Sequence, residues 1–312
     1  MPIVVPVRRF WTLRSGSALL RVLAFALVLF VLMLGSRFLY GSLALPGLMM
    51  PATARELGLI AILNLFPFLA AYWLLVRVVE ARRIEELAAR KLLPHAIAGF
   101  LAGTVLFTVV AGLLWIAGSY RVEGMDPAAP WVRGLLWAGI LPAVSEEIIS
   151  RGVVFRLVEQ RWGSWIALIV SALIFGFLHA WNPNATVWSC AAIAIEAGLL
   201  FGIVYTITRS LYFCMGLHAA WNFMEGPVLG TPISGIRLHG LFTSTLRGPA
   251  WLGGGPFGIE ASVLTVALMV GVSGALIVHA QRRGLMRPPR RRDVCMPTLP
   301  TTSAVALSAT SE

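Results

Sequence analysis

Apolar residues in this chain gather into long runs separated by short polar and charged stretches. A run of about 17 to 25 apolar residues is long enough to cross a bilayer as a helix. Such runs lie at about 19–34, 57–76, 96–118, 131–159, 164–180, 187–207, 210–224 and 260–280, the fourth and seventh having the shortest unbroken apolar cores. The pattern predicts an all-α polytopic membrane protein with about eight transmembrane helices. The first run follows Arg8, Arg9, Arg14 and Arg21 and superficially resembles a signal peptide. Ser36 to Tyr40 carries Arg37 and no small-residue cleavage pattern, so the run reads as an uncleaved span.

Composition sharpens this reading. Of 312 residues, 58% are apolar and 12% charged, against about 45–50% and about 25% in an average soluble domain. A soluble enzyme and a disordered chain are both excluded. The 24 arginines and one lysine (Lys91) outnumber 14 acids, giving a net charge of +11. In a soluble chain that excess would suggest nucleic acid. Here the cations follow the loops: with eight spans and a cytoplasmic N-terminus, 19 of the 25 fall on one side and 6 on the other. Cytoplasmic loops are the ones that collect Arg and Lys, so both termini are expected in the cytoplasm of a multi-pass cell-membrane protein, with no nucleic-acid partner. Residues 1–284 read as the transmembrane domain and 285–312 as a basic, disordered cytoplasmic tail, since its Pro, Thr, Ser and Ala cannot bury a core. The tail's arginines suit anionic lipid as a partner. The mixed charges of 77–94 read as a solvated or interfacial helix. No internal repeat supports a transporter of two similar halves, and Cys190, Cys214 and Cys295 form neither a disulfide framework nor a zinc spacing.

Ionisable residues inside a span are costly and are functional candidates by default. The sequence reading places only Glu146, Glu147, Glu196, His179 and His218, of all acids and histidines, within spans. In Leu141-Pro-Ala-Val-Ser-Glu-Glu-Ile-Ile-Ser-Arg151, Glu147 and Arg151 share a helical face, which suits a charge pair that carries an arginine in lipid. Glu146 is then left over. Two adjacent carboxylates in a low dielectric resist being ionised together, and a general base uses such tuning. His179 closes Phe175-Gly-Phe-Leu-His179. If the fourth and fifth spans turn near Arg161 to Gly163, Glu146 and His179 lie 16 and 17 residues from Trp162, both roughly 24–26 Å from the turn. At one depth, a carboxylate and an imidazole can hold a water between them.

His218 and Asn222 again lie four apart on one face. They fit either a polar pair packing two helices or donors to a developing oxyanion. Glu196 fits either a structural partner or a cavity contact. Cys190, Cys214, Ser145 and Ser150 lack the context of a nucleophile, and HExxH and P-loop motifs are missing from the sequence. What remains suits hydrolysis by activated water in a polar intramembrane cavity.

Glu146-Glu147-Ile-Ile-Ser-Arg151, Phe175-Gly-Phe-Leu-His179 and His218-Ala-Ala-Trp-Asn222 resemble the EExxxR, FxxxH and HxxxN motifs of the CPBP family of intramembrane proteases. That family includes the eukaryotic type 2 CAAX prenyl proteases and bacterial bacteriocin-processing and abortive-infection proteins. The resemblance covers about Trp131 to Gly230. It implies an intramembrane endopeptidase acting on a membrane-associated protein or peptide. Glu146 would be the general base, His179 would position water, and His218 with Asn222 would form the oxyanion site. Glu147 and Arg151 would support them. A metal-free mechanism without cofactor is favoured. The family's other assignment, an open zinc site, would take Glu146, His179 and His218 as ligands. The competing reading is a non-catalytic membrane scaffold or immunity protein that keeps the fold.

Overall fold

The computed structural model describes residues 18–43 and 53–289. Arg8, Arg9, Arg14 and the tail from 290 to 312, with its predicted arginine cluster, lie outside the described residues. Helices α1 (Ala18–Ser42), α2 (Arg55–Val79) and α3 (Leu92–Ile116) come first. Then a helical run of 51 residues, Trp131–Trp181, breaks at Gly163, where φ is 81° and ψ 172°. Only glycine takes that conformation without strain, and it falls where the sequence predicts the turn. We call the halves α4 (131–162) and α5 (164–181). Helices α6 (Val187–Thr208), α7 (Leu211–Phe223) and α8 (Val263–Arg282) follow.

By length and composition six helical runs among the described residues can cross a membrane, the 51-residue run counting once and α7 not at all. Each predicted apolar run forms a helix, but eight is not the count that length alone returns. The chain is a helical, polytopic membrane protein. One small departure is a two-stranded antiparallel sheet, β1 (Tyr120–Met125) against β2 (Phe242–Leu246), with a bulge between Val122 and Gly124. It joins the chain leaving α3 to the chain entering α8, and so lies at the end of the bundle opposite Gly163.

Two features position the site. First, α3 and α7 pack unusually close. A Cβ on Gly99 would overlap the Phe213 carbonyl, one on Gly103 would sit 2.5 Å from the Leu217 carbonyl, and one on Gly216 would overlap the Ala96 carbonyl. In a bilayer, where lipid is as apolar as leucine, such small-residue contacts let backbones approach and bind by dispersion. The rings of Phe107 and Trp221 lock the same interface edge to face at 4.9 Å. Second, π-helical turns interrupt the helices at Leu135–Ile140, Ile148–Phe155, Ala194–Leu199 and Met224–Val228. Such turns cluster at functional sites, and here they carry Arg151 and Glu196 and flank Glu146 and Glu147.

Two expectations need correction. The connector after α2 is not a solvated helix: it makes only short 3₁₀ turns at Glu85–Leu87 and Ala89–Lys91, and Glu80 and Glu86 are buried. Arginines neutralise them, the distant Arg156 binding Glu80 at 2.8 Å and the nearby Arg82 binding Glu86 at 2.6 Å. The first residues assigned to the tail are docked. Leu285 and Met286 pack against the core, and the Ser164 amide donates to the Arg287 carbonyl at 2.9 Å. Glycine at 163 makes this possible, because a side chain there would collide with 287–289.

Candidate active site

Glu147 and Arg151 form the fixed part of the site. Both are fully buried and pair at 2.9 Å one helical turn apart. The other Arg151 terminal nitrogen donates to the carbonyls of Ala197 at 2.9 Å and Gly198 at 3.1 Å, which ties α4 to a π turn of α6. Phe175 and Phe201 lie beside the guanidinium, 4.7 and 5.2 Å from its carbon. The charge pair expected from spacing is therefore present, and it also joins two helices.

Glu147 also accepts from His218 Nδ1 at 3.1 Å. A carboxylate only accepts, so Nδ1 carries the proton and Nε2 turns towards Glu146, whose nearer oxygen is 3.9 Å away. The His179 ring is fixed the same way. Its Nδ1 faces the Phe175 carbonyl at 2.8 Å, so Nδ1 donates and Nε2 is left for other partners. Phe175 touches both imidazoles, with ring centres 5.0 Å from His179 and 6.1 Å from His218. Asn222 donates one Nδ2 hydrogen to the Ala138 carbonyl at 2.9 Å, and the second is uncommitted.

Glu146, His179, His218 and Asn222 line one cavity of about 240 Å³, together with Trp137, Phe175, Phe201 and Trp221. A smaller recess of about 150 Å³ again joins Glu146 and His179. The side chain of Glu146 is 35% exposed, while that of Glu147 is sealed. The pair that sequence spacing placed at one depth thus shares a water-sized space, and the two adjacent glutamates have different surroundings.

Residues 127–224 match the family model of the type II CAAX prenyl endopeptidases, Rce1-like. This supports the CPBP resemblance carried by the three motifs. The match spans about a third of the chain, from just before α4 to the end of α7, and contains every motif residue. A search of curated proteins gives no match.

The remaining candidate behaves differently. Glu196 is buried and does not line the cavity, and among the described residues neither of its oxygens has a hydrogen-bond partner. Two acids that the sequence reading left out lie near it. Glu225 is completely buried, and neither of its carboxylate oxygens has a hydrogen-bond partner among the described residues. Glu260 is 4% exposed, lines the cavity, and has one oxygen held by the Ser234 amide at 2.7 Å and hydroxyl at 2.8 Å. Glu225 is three residues beyond Asn222, a helical spacing that could have flagged it. Nothing local marks Glu260.

Among the described residues, no three His, Cys, Asp or Glu side chains converge closely enough to hold a metal ion. Glu146, His179 and His218 share the cavity without forming a ligand set, and His218 Nδ1 is committed to Glu147.

Proposed function

We propose that this protein is an intramembrane endopeptidase that hydrolyses a peptide bond of a membrane-associated protein or peptide through water activated by Glu146. The observation that carries the reading is the convergence of Glu146, His179, His218 and Asn222 on one cavity. A water between Glu146 and His179 Nε2 meets two acceptors, so its hydrogens point at them and a lone pair is left to attack a carbonyl. Glu146 takes one proton as the C–O bond forms. The oxyanion is met by the free Asn222 hydrogen and by His218 Nε2–H. Because Nδ1 already donates to Glu147, that second donor requires the imidazolium form of His218. When the C–N bond breaks, Glu146 returns its proton to the leaving amine. Glu147 and Arg151 are positioning residues.

Arg21 and Arg287 lie at the Gly163 side, and the cavity lies towards the opposite side, against the loops that carry Ser234 and Glu260. With both termini in the cytoplasm, as the distribution of basic residues favours, substrate enters from the non-cytoplasmic face.

The test uses the purified full chain in lipid nanodiscs with membrane-tethered peptides, a farnesylated CAAX peptide among them because the matched family is named for prenyl endopeptidases. Glu146→Gln should lower cleavage about 10²–10⁴-fold, the range of a lost general base, with unfolding temperature unchanged. Chelator should leave the rate unaltered. Full activity in Glu146→Gln overturns the mechanism. Capture of a partner with no cleavage of any substrate favours the scaffold reading.

A further inference from the structure

The Gly163 end of the bundle contains a second pocket, of about 270 Å³, whose lining includes Lys91, Arg156, Tyr205, Arg209 and Arg287. Its chemistry is not needed for peptide hydrolysis. Five cations line it, Arg82, Lys91, Arg156, Arg209 and Arg287, and a sixth, Arg21, joins the same network through Glu80 and Gln160. Three buried acids answer them, Glu80, Glu86 and Glu159. Glu85 also reaches the pocket, but it is mostly exposed and pairs with Arg90. The Glu86 carboxylate in the lining is already bound by Arg82 and the Tyr72 hydroxyl. About three positive charges are therefore left without a counter-charge among the described residues.

The donors that remain face one space. Lys91 Nζ makes one of its three possible hydrogen bonds, to the Arg209 carbonyl at 2.9 Å. That carbonyl is turned outward because Arg209 ends α6 in a left-handed conformation, φ 48°. The Tyr205 side chain is 3% exposed and lines the pocket, yet its hydroxyl has no hydrogen-bond partner among the described residues. One terminal nitrogen of Arg156, another lining residue, is buried without a hydrogen-bond partner among the described residues. Arg287, 58% exposed, stands at the rim.

We propose that this pocket binds a phosphate group, as carried by the headgroup of an anionic phospholipid. An excess of cations held at fixed positions by acids, an unpaired phenol and a half-used ammonium together match a polyvalent oxyanion with several acceptor oxygens. Its place at the ends of α4 and α6, beside the start of α3, is the level of lipid phosphates, and basic pockets between membrane helices recognise such headgroups. Binding would fasten the docked strand at Arg287 to the Gly163 turn. The inference does not depend on the protease reading.

The experiment is native mass spectrometry of the purified full chain with phosphatidylglycerol or phosphatidylcholine, and with inorganic phosphate. Phosphatidylglycerol should be retained at least tenfold better than phosphatidylcholine, and added NaCl should reduce that retention. Lys91→Gln with Arg287→Gln should abolish the preference, Lys91→Arg should keep it, and Tyr205→Phe should weaken it a few-fold. Tyr205→Phe keeps the test open should the double variant fold poorly. Retention of inorganic phosphate without lipid preference would assign the same chemistry to a free anion. Equal retention of both lipids with no phosphate bound, or a preference that survives the double variant and Tyr205→Phe, overturns the proposal.

Discussion

At the Gly163 end, Glu80, Glu86 and Glu159 are buried and each is held by arginine: Glu80 by Arg21, Arg82 and Arg156, Glu86 by Arg82, and Glu159 by Arg209 and Arg287. At the cavity end, Glu196, Glu225 and Glu260 are buried as deeply, and among the described residues no cation pairs with any of them. Burial of a charge costs several kcal/mol unless it is paired. Acids at the first end therefore fasten elements together, while those at the second contribute no ion pair to the fold. Glu147 lies between the two cases, paired to Arg151 but also touching His218.

The largest effects should separate these ends. Glu80→Gln leaves Arg156 buried with its principal partner gone, and removing one member of a buried pair costs about 3–5 kcal/mol. Arg151→Met should cost as much, because Glu147 would then be sealed without a guanidinium. Glu225→Gln removes no ion pair and should change stability by about 1 kcal/mol or less, the size of ordinary substitutions. Thermal unfolding of the three variants in one detergent measures all of this. Equal losses for Glu80→Gln and Glu225→Gln would break the comparison.

The sequence revealed the cavity end better than the other in one respect and worse in another. The Glu147–Arg151 and His218–Asn222 spacings are local, so a helix alone predicts their shared faces. The Gly163 turn then set Glu146 and His179 at one depth, and both do line one space. Glu225 and Glu260 were missed because they lie at the edges of apolar runs, where one dimension cannot distinguish solvent from protein. Their burial comes from the chain between α7 and α8 folding back on the bundle, with Ile233, Phe257 and Ile259 in its core. The buried network at the other end was hidden for a related reason: Arg156 is 76 residues from Glu80, and no spacing rule reaches that far. Charges assigned to loops were in fact enclosed by them.

Among the described residues Glu196, Glu225 and Glu260 form no ion pair, so close helix packing is what remains to aim His218 and Asn222. Gly99→Leu would force α7 away from α3 at the Phe213 carbonyl. Overpacking of this kind costs about 1–3 kcal/mol, and a displacement near 1 Å can cost about 10²-fold in rate. Gly112→Leu, on the same helix but with open space around its Cβ, should leave both properties nearly unchanged. Unfolding temperature and cleavage rate measured side by side sharpen the contrast; equal behaviour of the two variants would show that the α3–α7 contact does not set the site.

The smallest effect concerns acid, and it belongs to the arginine-held end. Burial alone would raise the Glu86 carboxyl, but hydrogen bonds from Arg82 and Tyr72 outweigh it and bring it below its usual value of 4.5. A carboxyl lowered in the folded state binds protons more readily once unfolded, so its contribution is complete above the unfolded value and fades as pH falls through the folded one. The unfolding temperature should therefore hold from neutral pH to about 5 and then drop, the part due to Glu86 amounting to a few °C. In Glu86→Gln the starting temperature should be lower and the acid drop shallower by that amount, because the pairing with Arg82 is already absent at every pH. An acid profile identical to that of the unaltered protein would mean that Glu86 is not held by its arginine, and that the two ends differ less than their geometry indicates.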